Sequence, residues 1–174
     1  MSWEKLINEN KPLVVTGTIN AYSALLAERA GIKAIYLSGG GVANASYGLP
    51  DLAMTSREDV LEDVRRIRSA SELPLLVDID TGWGSALAIS RSIKEMISAG
   101  ASGVHIEDQV SEKRCGHRPN KEIVSLEEMV DRIKAAKDAQ TDDNFLLMAR
   151  TDAFAKGGLQ EVIDRSNAFI EAGA

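Results

Sequence analysis

Cysteine is almost missing from this sequence: Cys115 is the only one, and histidine is limited to His105 and His117. A lone thiol cannot build an internal disulfide framework, so a disulfide-stapled secreted scaffold is excluded and a reducing, cytoplasmic setting is expected. No run of about 18 apolar residues occurs, so no membrane span and no membrane partner are expected. The opening Met1-Ser2-Trp3-Glu4-Lys5 lacks the apolar stretch of a secretory leader. Concentrated positive charge is missing too, because the net charge is -6 and lysines and arginines are interleaved with acids. Phosphate binding needs a concentrated basic face, so nucleic acid is not an expected partner. No Gly-x-Gly-x-x-Gly fingerprint opens the first helix, which weakens a dinucleotide-binding fold.

What is present is an ordinary globular composition, 44% hydrophobic and 26% charged over 174 residues, enough for one core and one domain over residues 1–174. Apolar, β-branched stretches predict strands at Leu13 to Ile19, Ala34 to Leu37, Leu75 to Asp80, Gly103 to Asp108 and Phe145 to Arg150. Helical spacing predicts helices at Trp3 to Asn10, Ala21 to Ala30, Thr55 to Ser71, Ala86 to Ala99, Ser125 to Ala139 and Leu159 to Ala172. Thr55 and Ser56 precede an acidic first turn, and Ser125 with Glu128 has the pattern of a capping box.

Strands that alternate with helices and read as near-continuous apolar runs predict a parallel sheet covered by helices. Ser38-Gly39-Gly40, Asp78 and Asp80, Glu107 and Asp108, the Cys115 loop, and Arg150 with Asp152 all follow strands two to five. They therefore share the carboxyl-end face, which is the active-site face of a (β/α)8 barrel. Five units do not close eight strands, so an incomplete barrel with two open edges is expected.

The chemistry of that face is that of a site for a small polycarboxylate. Asp78 and Asp80 sit two apart at a strand end and, with Glu107 and Asp108, make an oxygen-rich cluster suited to Mg2+ or Mn2+ but not zinc. Ser38-Gly39-Gly40-Gly41 offers backbone N–H groups to an anion. Arg150 ends an apolar strand, where a guanidinium needs an anionic ligand or an internal acid such as Asp152 or Glu107. In Lys113-Arg114-Cys115-Gly116-His117, neighbouring positive charge favours a thiolate, and Gly116 opens the backbone to a ligand. His105 lies inside a strand and reads as structural, whereas His117 reads as functional.

These segments resemble the isocitrate lyase / phosphoenolpyruvate mutase superfamily. The resemblance runs over the whole chain. It rests on Tyr36-Leu37-Ser38-Gly39-Gly40-Gly41, Gly48-Leu49-Pro50-Asp51, Asp78-Ile79-Asp80-Thr81-Gly82-Trp83-Gly84, His105-Ile106-Glu107-Asp108-Gln109, the Cys115 loop and Ala149-Arg150-Thr151-Asp152. Trp83 stands where phenylalanine is usual. The triple glycine fits the branch that cleaves 2-methylisocitrate. The resemblance implies a Mg2+-dependent lyase giving pyruvate and succinate, a step of the methylcitrate route of propionate breakdown.

By the same resemblance Asp78 and Asp80 bind the metal, with Glu107 as a supporting acid. Ser38, Gly39, Gly40, Cys115, Gly116 and Arg150 bind substrate, and Asp51 is a further active-site carboxylate. Cys115 is the general acid, Lys113 and His117 assist it, and Tyr36 is a candidate base. A loop that closes over substrate and a homotetramer are also implied. Related superfamily chemistry (isocitrate cleavage, oxaloacetate hydrolysis, phosphonomutase) and an inert fragment are the competing readings. Superfamily members are longer and carry a further glutamate on the next strand, beyond the reach of this chain.

Overall fold

In the computed structural model, which describes residues 2–174, the β-branched stretches condense into five short strands. These are β1 (Val15–Gly17), β2 (Ala34–Leu37), β3 (Leu75–Asp78), β4 (Gly103–Glu107) and β5 (Leu146–Arg150). All four neighbouring pairs are parallel and the spatial order is the sequence order. A doubly wound sheet reverses its strand order at a switch point; this sheet never does, and so it is five consecutive βα units of a barrel. β1 and β5 are the two edges, each paired on one side only.

The helices are α1 (Trp3–Glu9), α2 (Ala21–Arg29), α3 (Gly39–Gly41), α4 (Arg57–Arg68), α5 (Ala86–Ser98), α6 (Leu126–Asp138) and α7 (Phe154–Glu171). Local chemistry explains their starts. Asn20 with Ser23, and Ser56 with Asp59, close reciprocal capping boxes. Ser125 makes only half of the expected box, accepting from the Glu128 N–H. The helix expected from Leu159 has an extra turn before it, because α7 already begins at Phe154 and is broken at Gly158 (φ 71°, ψ -165°). The triple glycine winds into α3 and is followed by one π turn, Val42–Ser46.

Strand side chains alternate between two faces. Ile35, Leu37, Leu75, Val77, Val104, Ile106 and Leu147 point outward and merge with Val60, Val64, Ile93, Met96, Met129 and Ile133 of α4, α5 and α6. Burying each such aliphatic side chain contributes roughly 1.5–3 kcal/mol. On the other face Ala34 and Leu76 pack with Trp3 and Leu6 of α1, which plugs the amino-terminal end of the sheet. Trp3 Nε1 fastens that plug by donating to the Ser102 carbonyl at 2.8 Å. Among the described residues no helix is long and apolar enough to cross a membrane.

Candidate active site

The same alternation sends a polar set to the inner face. Tyr36 comes from β2, Asp78 from β3, His105 and Glu107 from β4, and Arg150 from β5. Register sets Asp78 opposite His105 and Glu107 opposite Arg150 on neighbouring strands. Past the end of β3, Asp80 adopts φ 48°, a left-handed conformation that Asp tolerates better than most residues. That turn returns its amide to Asp78 Oδ1 at 3.0 Å. Gly82, at φ 90°, completes the turn where a Cβ would collide with Ile89.

Asp78 Oδ2 accepts from the Gly39 N–H at 3.1 Å. A Cβ placed on Gly39 would stand 3.1 Å from Asp80 Oδ1 and 3.4 Å from Asp78 Oδ2, so both carboxylates converge on the space that this glycine leaves open. Hard oxygen donors around such a cradle suit Mg2+ or Mn2+. Among the described residues no three His, Cys, Asp or Glu side chains close on one point. Asp78 and Asp80 are the two carboxylates that could hold such an ion, and Mg2+ is commonly held by only one or two protein carboxylates. Glu107 stands behind them with Oε2 3.0 Å from Arg150 Nη1 and with Oε1 buried and unpartnered.

The electrostatics separate the three acids. Burial opposes ionisation of Asp78, yet His105, the Asp80 amide and Lys113 outweigh it and hold the carboxyl at about 2. Burial and the charge of Asp78 push Asp80 up to about 6 against the pull of Lys113. Burial pushes Glu107 up to about 8, with Arg150 opposing. Tyr36, 3.3 Å from His105 Nδ1, is pushed strongly upward by burial and by Asp78. A phenol held neutral in this way is a hydrogen-bond donor, and the electrostatics of the site give no support to Tyr36 as the base.

The loop after β4 reaches back over these groups. Lys113 Nζ lies 2.6 Å from Asp80 Oδ1 and 2.6 Å from Asp51 Oδ1. Asp51 in turn abuts Gly40, whose Cβ would meet Asp51 Oδ2 at 3.0 Å. A Cβ on Gly116 would run into the Arg150 guanidinium, so the loop backbone lies directly on that side chain. Cys115 is therefore bracketed by two residues that both touch the site. Its Sγ is 3.7 Å from His117 Nδ1, while Lys113 spends its ammonium on the two aspartates. A cavity of about 250 Å³ opens beside this junction, lined by Asp80, Trp83, Ser111 and Lys113 among others.

Three expectations change. Asp108 does not join the oxygen cluster: alternation turns it away from Glu107. It is fully buried, accepting from Thr151 Oγ1 at 2.6 Å, the Asp152 N–H at 2.9 Å and Arg165 Nε at 2.9 Å. The triple glycine offers fewer free amides than expected, because the Gly39 N–H is taken by Asp78 and the Gly41 N–H by Ser38 Oγ. His105, read as structural, borders the site, 3.6 Å from Asp78 Oδ1. The two-residue spacing of His105 and Glu107 carried that signal, since it puts both on one face. Gln109 and Arg165 were missed; the contacts that tie them to Asp152 and Asp108 span 43 and 57 positions and leave no local trace.

Comparison with known proteins agrees with this geometry. The family model for phosphoenolpyruvate phosphomutase matches residues 3–174. The 2-methylisocitrate lyase of Shewanella oneidensis is 63% identical over 174 residues, which is all of this chain and 60% of that protein. Among solved structures, oxaloacetate acetylhydrolase in complex with the inhibitor 3,3-difluorooxalacetate superposes with a TM-score of 0.93 at 34% identity, covering 99% of this chain and 60% of that one. Phosphonopyruvate hydrolase in complex with oxalate and Mg2+ gives a TM-score of 0.83 at 33% identity, covering 100% and 61%. The chain thus spans about 60% of the length of these relatives.

Proposed function

This chain belongs to the phosphoenolpyruvate phosphomutase family, and from that membership we propose that it serves Mg2+-dependent cleavage of 2-methylisocitrate to pyruvate and succinate. The 63% identity to a 2-methylisocitrate lyase supports that substrate. The observation that carries the reaction is the bracketing of Cys115 between Lys113, on Asp80, and Gly116, on Arg150. That bracketing supports reading Cys115 as a proton donor carried by a loop whose neighbouring residues touch Asp80 and Arg150.

Asp78 and Asp80 would hold the metal, and the similar hydrolase captured with oxalate and Mg2+ supports Mg2+ as the ion. When bound, Mg2+ supplies a fixed positive charge that favours the deprotonated form of the substrate hydroxyl. Arg150 binds and orients a substrate carboxylate, with Glu107 and Asp152 fixing the guanidinium from behind. Once a general base has taken the hydroxyl proton, the carbon–carbon bond breaks. Its electron pair goes to the succinate fragment and the hydroxyl carbon becomes the pyruvate carbonyl. Cys115 Sγ delivers a proton to that carbanion and becomes a thiolate, which is reprotonated before the next turnover. Ser38, Gly39 and Gly40 shape the floor, Asp51 steadies Lys113, His117 stands by the thiol, and the loop keeps water from the carbanion.

A cytoplasmic location and a place in propionate breakdown follow from the same reading. Assembly into a homo-oligomer, a tetramer, rests on the family resemblance alone. The test is pyruvate release from 2-methylisocitrate by the purified chain, followed with a coupled dehydrogenase. Release that stops on chelation supports the proposal. No release from folded, monodisperse chain overturns it for this polypeptide, and faster turnover of isocitrate overturns the substrate.

A further inference from the structure

Both ends of the Cys115 loop return to a single carboxylate, that of Asp152. At the leading end Gln109 is 1% exposed and engages its whole amide. Its Oε1 accepts from the Arg114 N–H at 3.0 Å, and its Nε2 donates to the Arg114 carbonyl at 3.0 Å and to Asp152 Oδ2 at 3.0 Å. The Gln109 main chain is fixed as well, because Arg132 Nη1 donates to its carbonyl at 2.9 Å. At the trailing end Lys121 Nζ lies 3.3 Å from Asp152 Oδ1 and donates to the Gly116 carbonyl. Arg150 Nη2, 3.0 Å from Asp152 Oδ2, fixes that carboxylate from the barrel side.

We propose that Gln109 and Asp152 form a clasp that holds the loop carrying Lys113 and Cys115 down over the inner face. Neither residue touches the reacting atoms, so both are positioning residues. The proposal rests on the reading of this loop as the carrier of the acid. The physical argument is one of joint loss. The remaining main-chain pairing across the neck of the loop is one bridge between Gln109 and Ile123, the Val110 N–H on the Glu122 carbonyl at 3.1 Å and the Val124 N–H on the Asp108 carbonyl at 2.9 Å. Releasing the Gln109 amide leaves the Arg114 N–H and carbonyl without their partner and takes from Asp152 Oδ2 one of its two donors, the other being Arg150 Nη2, and each lost bond disfavours the closed position.

The chain has one cysteine, so its alkylation by iodoacetamide reports the loop with no competing thiol. The rate is measured on the folded chain at one fixed pH, without Mg2+ and without substrate. Gln109→Met, similar in length but unable to donate or accept at the amide positions, is expected to react about tenfold faster, the factor that follows from losing one net hydrogen bond. Arg118→Ala, on the same loop but outside the clasp, is expected to react at the wild-type rate. Gln109→Glu sets two carboxylates against each other and is expected to react faster still. Adding Asp152→Asn to it restores a donor–acceptor pair with the roles reversed and is expected to slow the reaction again.

A folded Gln109→Met that is labelled at the wild-type rate overturns the clasp, as does a double variant as fast as Gln109→Glu alone. If Gln109→Met does not fold, the reversed pair decides on the same readout. Pyruvate release beside unchanged labelling would sink the clasp and spare the lyase reading; faster labelling without pyruvate release would do the reverse.

Discussion

Lys113 and Asp80 meet at 2.6 Å, ammonium to carboxylate, with side chains only 5% and 7% exposed. The same ammonium lies 2.6 Å from Asp51, so one cation serves two acids contributed by different connections of the barrel. Burial pulls the Lys113 pKa down, but the two aspartates outweigh it and hold the side chain charged. Lys113→Met would leave both acids without their cation. Removing one member of a buried pair costs about 3–5 kcal/mol, and that loss is expected in urea unfolding at neutral pH. Lys113→Arg keeps the charge but not the compact point donor, and is expected to recover only part of the loss.

Glu107 makes stability depend on pH in a direction opposite to the usual carboxylate. Burial raises it from 4.5 to about 8, Asp78 and Asp80 add to the rise, and Arg150 opposes it. Between those values the folded chain holds a proton that the unfolded chain has released. The contribution is therefore fully present below about pH 4.5 and is lost as pH rises through about 8. Glu107→Gln stays neutral throughout. Its Tm, measured without added metal, is expected to fall less than that of wild type across this window. An equal fall in both proteins would place the effect elsewhere.

The two-residue spacing at a strand end made Asp78 and Asp80 legible as a pair, although the turn at Asp80 and not strand alternation brings them together, and the five apolar strands made the parallel sheet legible with them. Alternation was overlooked at Asp108, where adjacency to Glu107 was read as partnership although successive strand residues face opposite ways. It was available but unused at His105. The triple glycine keeps fewer free amides than the sequence offered because α3 forms there under a Ser38 cap, although glycine propensity alone argues against a helix. The clasp at Asp152 had no local signature at all, since Gln109 meets it across 43 positions of sequence.

Gly39 is small because two carboxylates need the space. Gly39→Ala would set a methyl 3.1 Å from Asp80 Oδ1 and 3.4 Å from Asp78 Oδ2. In a helical turn alanine is otherwise favourable, by roughly 0.5–1 kcal/mol, so the fold should survive the change. Mg2+ affinity, measured by isothermal titration, is expected to drop by at least about tenfold, the equivalent of about 1.4 kcal/mol. Unchanged affinity would mean that the ion does not use this cradle.

Cys115→Ser tests the proton donor. A hydroxyl is a much weaker acid than a thiol, while Lys113 and Gly116 keep their contacts whichever atom the side chain carries. Pyruvate release is expected to lose about 10²–10⁴ in kcat, the usual worth of a general acid, with little change in KM. A proportional rise in KM instead would assign the thiol to substrate binding.

Asp108 and Arg165 form the most enclosed ion pair near the site, 2.9 Å apart with side chains 0% and 6% exposed. Asp108 also anchors Thr151 and the Asp152 amide, so this pair sets the turn that follows Arg150. Arg165 reaches further, donating to the Val124 carbonyl at 2.9 Å and lying over the Phe169 ring, which ties α7 to the start of α6. Arg165→Met would leave Asp108 charged, buried and served by two neutral donors. A loss of about 3–5 kcal/mol is expected in urea unfolding. Asp108→Asn removes the stranded charge while keeping one acceptor, so the double variant should be less destabilised than the two single losses added together. If the two losses simply add, the residues do not act on each other, and the turn after Arg150 is held by its hydrogen bonds alone.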